Sequence, residues 1–184
     1  GYRYHLDSIK CFSHIHGWQL SGVPVMPTTG AFRGHLGPDV YGSKYSHQSE
    51  IVKAGYHKVI LDSYKITAEL TSTTRVGFHQ YTYPESDQSH ILFDFSTFLG
   101  PSDTEKGFVK KVSDHEIEGY SIMASTVRRP KTLTVYFVAI FDKPFDTFQT
   151  WKNGSLEGAQ PMVCLLYTSP SPRDRTRSRM PSFA

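Results

Sequence analysis

Cysteine is scarce in this sequence: of 184 residues, only Cys11 and Cys164 carry a thiol. That excludes the cysteine-dense scaffold which staples small secreted domains, and it leaves the redox compartment unmarked. Long apolar runs are missing too, since no stretch approaches the roughly 20 apolar residues a helix needs to cross a bilayer. The opening residues, Gly1-Tyr2-Arg3-Tyr4, lack a basic and then apolar leader. The sequence is therefore expected to start inside a longer protein, with any export signal upstream. No segment sustains a helical period, and no nucleophile elbow, phosphate-binding glycine loop or EF-hand loop occurs. Ser21-Gly22 lacks the elbow's flanking pattern, and Gly30, Gly34 and Gly37 lack a strand-to-helix context.

Excess charge is confined to one place. The formal net charge is +3, and residues 164–184 alone hold Arg173, Arg175, Arg177 and Arg179 against Asp174. Taking these from the totals of 20 basic and 17 acidic residues leaves 16 of each in residues 1–163. A nucleic-acid footprint needs its basic residues on the folded body, so that class of function is excluded. The Ser/Pro/Arg stretch 164–184 has no periodicity and resembles a translated cloning or sequencing adapter. It is expected to be a disordered tail and is left out of the fold reasoning. Without it Cys11 stands alone and no intrachain disulfide is possible.

What remains is apolar and aromatic enough for one folded domain over residues 1–163, with 38% apolar, 14% aromatic and 20% charged residues in the whole chain. Residues 65–73, KITAELTST, place Ile66, Ala68 and Leu70 on one face and Thr67, Glu69 and Thr71 on the other, the two-residue period of a half-buried strand. Residues 55–61 precede them across Asp62-Ser63-Tyr64, which reads as a hairpin. Further strands are expected over 76–83, 90–95, 108–112, 116–124 and 133–141. The last, LTVYFVAIF, is apolar on both faces and is expected to be covered from two sides. Many short strands with turn signals between them predict an all-β fold, an antiparallel β-sandwich. Residues 23–55, rich in Gly, Pro, Ser and Tyr, are expected to form a long functional or mobile loop.

Chemistry concentrates at FSHIHGWQLSG, residues 12–22. In an extended segment His14 and His16 share a face, and such a pair suits a metal. A zinc site needs further ligands, and only distant His35, His47 or Glu50 offer them. The alternative is that both imidazoles are hydrogen-bonding wall residues. Trp18 suits a core as well as a sugar platform, because an indole buries well and also matches the apolar C–H face of a pyranose. The carboxylates are scattered, and none is paired by spacing into an acid and a base.

Several segments together resemble glycoside hydrolase family 92, the calcium-dependent exo-α-mannosidases. They are CFSHIHGWQLSGVPVMPTTG (11–30), YSHQSEIVKAGYHKVIL (45–61), KITAELTSTTRVGFHQYTYP (65–84) and VYFVAIFDKPFDTF (135–148), in the family's order and spanning nearly all of residues 2–154. Cys11 stands where glycine is usual, and Gly17 where the family often has a larger residue. The resemblance implies a galactose-mutarotase-like N-terminal sandwich that is followed in the parent enzyme by a helical (α/α) barrel. It implies inversion by a carboxylic acid and a carboxylate, with calcium contacting mannose hydroxyls. Both the carboxylates and the calcium ligands are expected in that second domain, so no catalytic residue and no metal ligand is expected here.

The substrate-binding residues carried over are Trp18, His14 and His16, on the rim of a cleft shared with the helical domain. The expected partners are an α-mannoside or N-glycan and that missing domain. The expected location is secreted, periplasmic or on the cell surface. The alternative is a stand-alone carbohydrate-binding sandwich module, using Trp18, His14 and the tyrosines of the long loop. A mutarotase-like epimerase needs an acid and a base in one cleft, and no such pair is marked.

Overall fold

In the computed structural model the described residues are 4–13, 22–96, 103–152 and 154–158, with the backbone of two further strands at 166–170 and 178–183. In chain order the strands are β1 (Ser8–Ile9), β2 (Val25–Thr29), β3 (Ser43–Lys44), β4 (Ile51–Lys53), β5 (Tyr56–Leu61), β6 (Ile66–Ser72), β7 (Val76–Thr82) and β8 (Ser89–Phe93). Then follow β9 (Thr104–Ser113), β10 (Glu116–Met123), β11 (Leu133–Ile140), β12 (Phe145–Lys152), β13 (Ser155–Gly158), β14 (Leu166–Pro170) and β15 (Ser178–Phe183). The only α-helix among the described residues is one turn, α1 (Pro38–Tyr41).

Every pairing is antiparallel, and the fold is the expected β-sandwich. One sheet has eight strands in the order β4-β5-β6-β7-β15-β11-β10-β9, and the other has five in the order β13-β12-β14-β8-β2. One core joins them: Leu61, Ile66, Tyr81, Ile117 and Phe137 from the larger sheet and Met26, Ile91, Phe93 and Phe148 from the smaller. Phe93 and Phe137 stack across the gap, 6.0 Å apart and 11° from parallel. Pro27 fits β2 because that strand is the sheet's edge, where a missing N–H is tolerated.

The 55–73 hairpin forms as read, with Ile66, Ala68 and Leu70 buried. Two expectations change. The strand at 133–141 is covered on one face only: Phe137 and Ala139 are buried, while Tyr136 is 68% exposed. The strand covered on both faces is β8, whose five residues are all buried. Its Phe93 enters the core, and its His90 and Leu92 lie under the 31–37 segment. There Phe32 packs edge-on against His90 and Trp151. A Cβ on Gly34 would stand 3.2 Å from the Leu92 side chain.

Residues 23–55 are therefore not one long loop. They hold β2, a 3₁₀ turn (Gly34–Leu36), α1, β3 and β4. A sheet face has to be covered by something, and a Gly- and Pro-rich chain folds closely enough to do it.

Residues 166–170 and 178–183, inside the stretch expected to be an unpacked tail, hold β14 and β15. β14 lies between β12 and β8, and β15 between β7 and β11.

Candidate functional site

His14, His16 and Trp18 fall in residues 14–21, which lie outside the described residues. The ends of that segment are described, and both are fixed. Phe12 and Val25 form an isolated antiparallel bridge, with N–H···O distances of 2.7 and 2.8 Å. Gly22 takes φ 68°, a left-handed conformation that costs a glycine little. Its N–H points at the Met123 sulfur, 3.2 Å away. Cys11, Phe12, Met26 and Met123 are buried around these two roots.

Beneath the roots lies a buried carboxylate, Asp94, at 2% exposure. Its main-chain N–H donates to the Pro24 carbonyl at 3.1 Å, which ties the end of β8 to the strand leaving the segment. Tyr41 Oη donates to Asp94 Oδ2 at 2.5 Å, and Ser96 donates through N and Oγ to Oδ1 at 2.8 and 2.6 Å. Both oxygens are thus engaged, as burying a charge requires. Burial first, and then the Asp94 charge, push the Cys11 thiol up to about 12. Cys11 is a packing residue, without thiolate reactivity.

Of the distant ligands considered for a metal, the fold unites His47 and Glu50 and leaves His35 elsewhere. The Glu50 side chain is 4% exposed. It faces His47 Nδ1 at 2.7 Å through Oε2 and His57 Nε2 at 2.8 Å through Oε1, one imidazole per oxygen. Tyr4 stacks on His47 at 4.2 Å, and the edge of Phe12 meets His57 at 6.4 Å. The cluster therefore clasps the N-terminal segment to the hairpin of β4 and β5. His35 instead stacks on Phe32, 5.5 Å away. No group of three or more His, Cys, Asp or Glu side chains among the described residues is arranged to hold a metal ion. The His57–Glu50 contact was missed in the sequence because its partners sit on different elements. The only sequence signal was the three-residue spacing of His47 and Glu50 in a turn.

The tyrosines of residues 23–55, Tyr41 and Tyr45, are engaged within the fold. Tyr41 and Tyr45 are 1% and 7% exposed. Tyr45 Oη donates to the Leu6 carbonyl at 2.8 Å and Tyr64 Oη to the Tyr41 carbonyl at 2.7 Å. Tyr41, Tyr45 and Tyr64 thus brace the segment's surroundings from within the fold.

Residues 1–176 match the family model described as the glycosyl hydrolase family 92 N-terminal domain. No curated protein matches the sequence. Solved structures that share the fold include three family 92 proteins. The GH92 α-mannosidase BT3965 of Bacteroides thetaiotaomicron, in complex with mannoimidazole, superposes with a TM-score of 0.86 at 24% identity, covering 100% of this chain and 26% of its own. The GH92 glycosyl hydrolase ccman5 gives 0.82 at 23% identity, covering 100% and 27%. The GH92 inverting mannosidase BT2199 of Bacteroides thetaiotaomicron VPI-5482 gives 0.82 at 15% identity, covering 99% and 25%. The chain thus spans about a quarter of the length of these structures.

Proposed function

Because this chain belongs to the glycosyl hydrolase family 92 N-terminal domain family, we propose that it is the N-terminal wall of an inverting exo-α-mannosidase cleft. The bond-breaking carboxylates lie in a helical domain outside it. The observation that carries this reading is the anchoring of residues 13–24 at both ends on a rigid sandwich, through the Phe12–Val25 bridge and the Asp94–Pro24 bond. The fixed roots set where this segment leaves the sandwich, and the reading places Trp18 there against a sugar face and His14 and His16 against its hydroxyls.

The buried carboxylates support a division of labour. Inversion needs an acid and a base roughly 6.5–9.5 Å apart, with room for a water between them. Asp94 and Glu50 have both oxygens engaged by fixed donors instead. The same engagement tells against calcium here, since a hard cation takes six to eight oxygen ligands and these oxygens already accept from protein groups. The calcium ligands are proposed to lie in the helical domain, and no step is assigned to the ion on this chain. An exported location belongs to the same proposal, as does an α-mannoside or N-glycan substrate.

The test is mannose release from an aryl α-mannoside by the purified 184-residue chain, alone and extended by a family 92 helical domain. Turnover is expected only from the extended polypeptide. Turnover by the chain alone would place the acid and base here and end the proposal.

A further inference from the structure

Residues 124–132, which connect β10 to β11, narrow to a two-residue turn. Thr126 and Arg129 exchange both main-chain hydrogen bonds across it, at 2.7 and 3.1 Å, and the Arg129 N–H also donates to the Thr126 hydroxyl at 3.1 Å. The Arg129 guanidinium folds back onto the base of the loop, donating to the Ala124 carbonyl at 2.6 Å and to the Lys131 carbonyl. Pro130 fixes φ between them. The result is a stapled finger with Val127 and Arg128 at its tip, and Val127 is fully exposed. Tight hairpin turns favour Gly, Asn and Asp, and a β-branched side chain standing in water adds no packing. Neither the turn nor the core accounts for a valine at that position.

The finger is rooted where the segment of residues 13–24 is rooted. Met123, the residue before it, receives the Gly22 N–H on its sulfur at 3.2 Å, and Ala124 donates to the Asp103 carbonyl at 2.8 Å. Finger and segment therefore leave the sandwich at the same end. The chain also covers only about a quarter of the length of the family 92 structures that share its fold.

Resting on the mannosidase reading above, we propose that this finger is the point at which the helical domain of the parent polypeptide docks. Val127 enters an apolar pocket of that domain, and Arg128 and Lys131 meet carboxylates at the pocket's rim. Residues 124–132 hold three cations, Arg128, Arg129 and Lys131, and no carboxylate. That balance selects an acidic surface and steers its approach. It also tells against a second copy of this chain, since two tips meeting would set cation against cation. A finger stapled before contact has little freedom to lose on docking.

The test is the rate of maleimide labelling of Val127→Cys, read by mass spectrometry on the peptide that holds residue 127. It is measured in the 184-residue chain and in the chain extended by a family 92 helical domain. Val112→Cys is the reference, because Val112 is exposed beside the turn at the opposite end of β9 and β10. Labelling at 127 is expected to be about tenfold slower in the extended polypeptide, because a docked tip reacts only while it is open. Labelling at 112 is expected to be the same in both. Equal rates at 127 overturn the proposal, and so does slowing at 112 without slowing at 127. Slowing at 127 in the short chain as its concentration rises also overturns it, and makes the tip a contact between copies. Labelling needs no turnover, so the two readings fail separately. Protection at 127 in an extended polypeptide that releases no mannose keeps the finger and ends the cleft reading, while turnover with an unprotected tip does the reverse.

Discussion

Tyr41 and Asp94 are joined by a 2.5 Å hydrogen bond inside the sandwich, linking α1 to the end of β8. Asp94 in turn holds Pro24 through its main chain, so the bond reaches the root of the segment that carries His14, His16 and Trp18.

Asp94→Asn is expected to destabilise the chain by about 2–3 kcal/mol, read as a shift in the urea unfolding midpoint. An amide has one acceptor oxygen where the carboxylate has two. Its NH₂ must therefore face either the Tyr41 hydroxyl or the Ser96 donors. A midpoint equal to wild type would mean that the buried charge does not organise this corner.

Gly119→Ala is expected to cost about 3 kcal/mol or more, at or above the upper range for overpacking. A Cβ there would lie 2.1 Å from the Phe108 carbonyl oxygen and 2.9 Å from the Phe137 ring. A laddered backbone carbonyl cannot rotate aside as a side-chain tip can. Thermal unfolding of the variant at wild-type temperature would show that the β9–β10 pairing is looser than described.

Acidification is expected to weaken the fold through His90. Burial holds its imidazole below the ordinary histidine value of 6.5, outweighing the bond to the Gly30 carbonyl, which favours the charged ring. The unfolded chain then binds the proton first. The stability from His90 is present above about pH 6.5 and is lost as pH falls from there through the folded value. The melting temperature of wild type should drop between about pH 7.5 and 5.5, and His90→Gln should show a shallower slope. Equal slopes would remove His90 from the acid response.

The hairpin of β5 and β6 was legible because one alternating face and one short turn decide it locally, as Ile66, Ala68 and Leu70 do. The two-sided burial of β8 was not legible, because HILF reads as an ordinary apolar run until Phe32 and Gly34 close over it from 60 residues away. LTVYFVAIF misled for the opposite reason: its outward Tyr136 counts as apolar in a pattern but lies on a solvent face. The candidate segment was found by composition, and its roots only by the fold. Phe12 and Val25 are unremarkable in sequence and become informative as a bridge.

Residues 164–184 admit a direct test. If β14 and β15 join the halves of each sheet, truncation after Val163 leaves β7 facing β11 and β8 facing β12 with unpaired backbone edges. Such edges associate. The truncated chain is expected to elute as multimers in gel filtration and to lose amide protection in β7 and β8. A monomer with unchanged protection would make the segment the unpacked extension that its composition suggests.

The central claim is that this domain positions a sugar whose bond is broken by another domain. Its most direct test is steady-state kinetics of Trp18→Ala in the chain extended by a family 92 helical domain, on an α-mannoside that carries a leaving-group sugar. The account predicts about a tenfold fall in kcat/KM, near 1.4 kcal/mol, carried mainly by KM. Unchanged kcat and KM would contradict it.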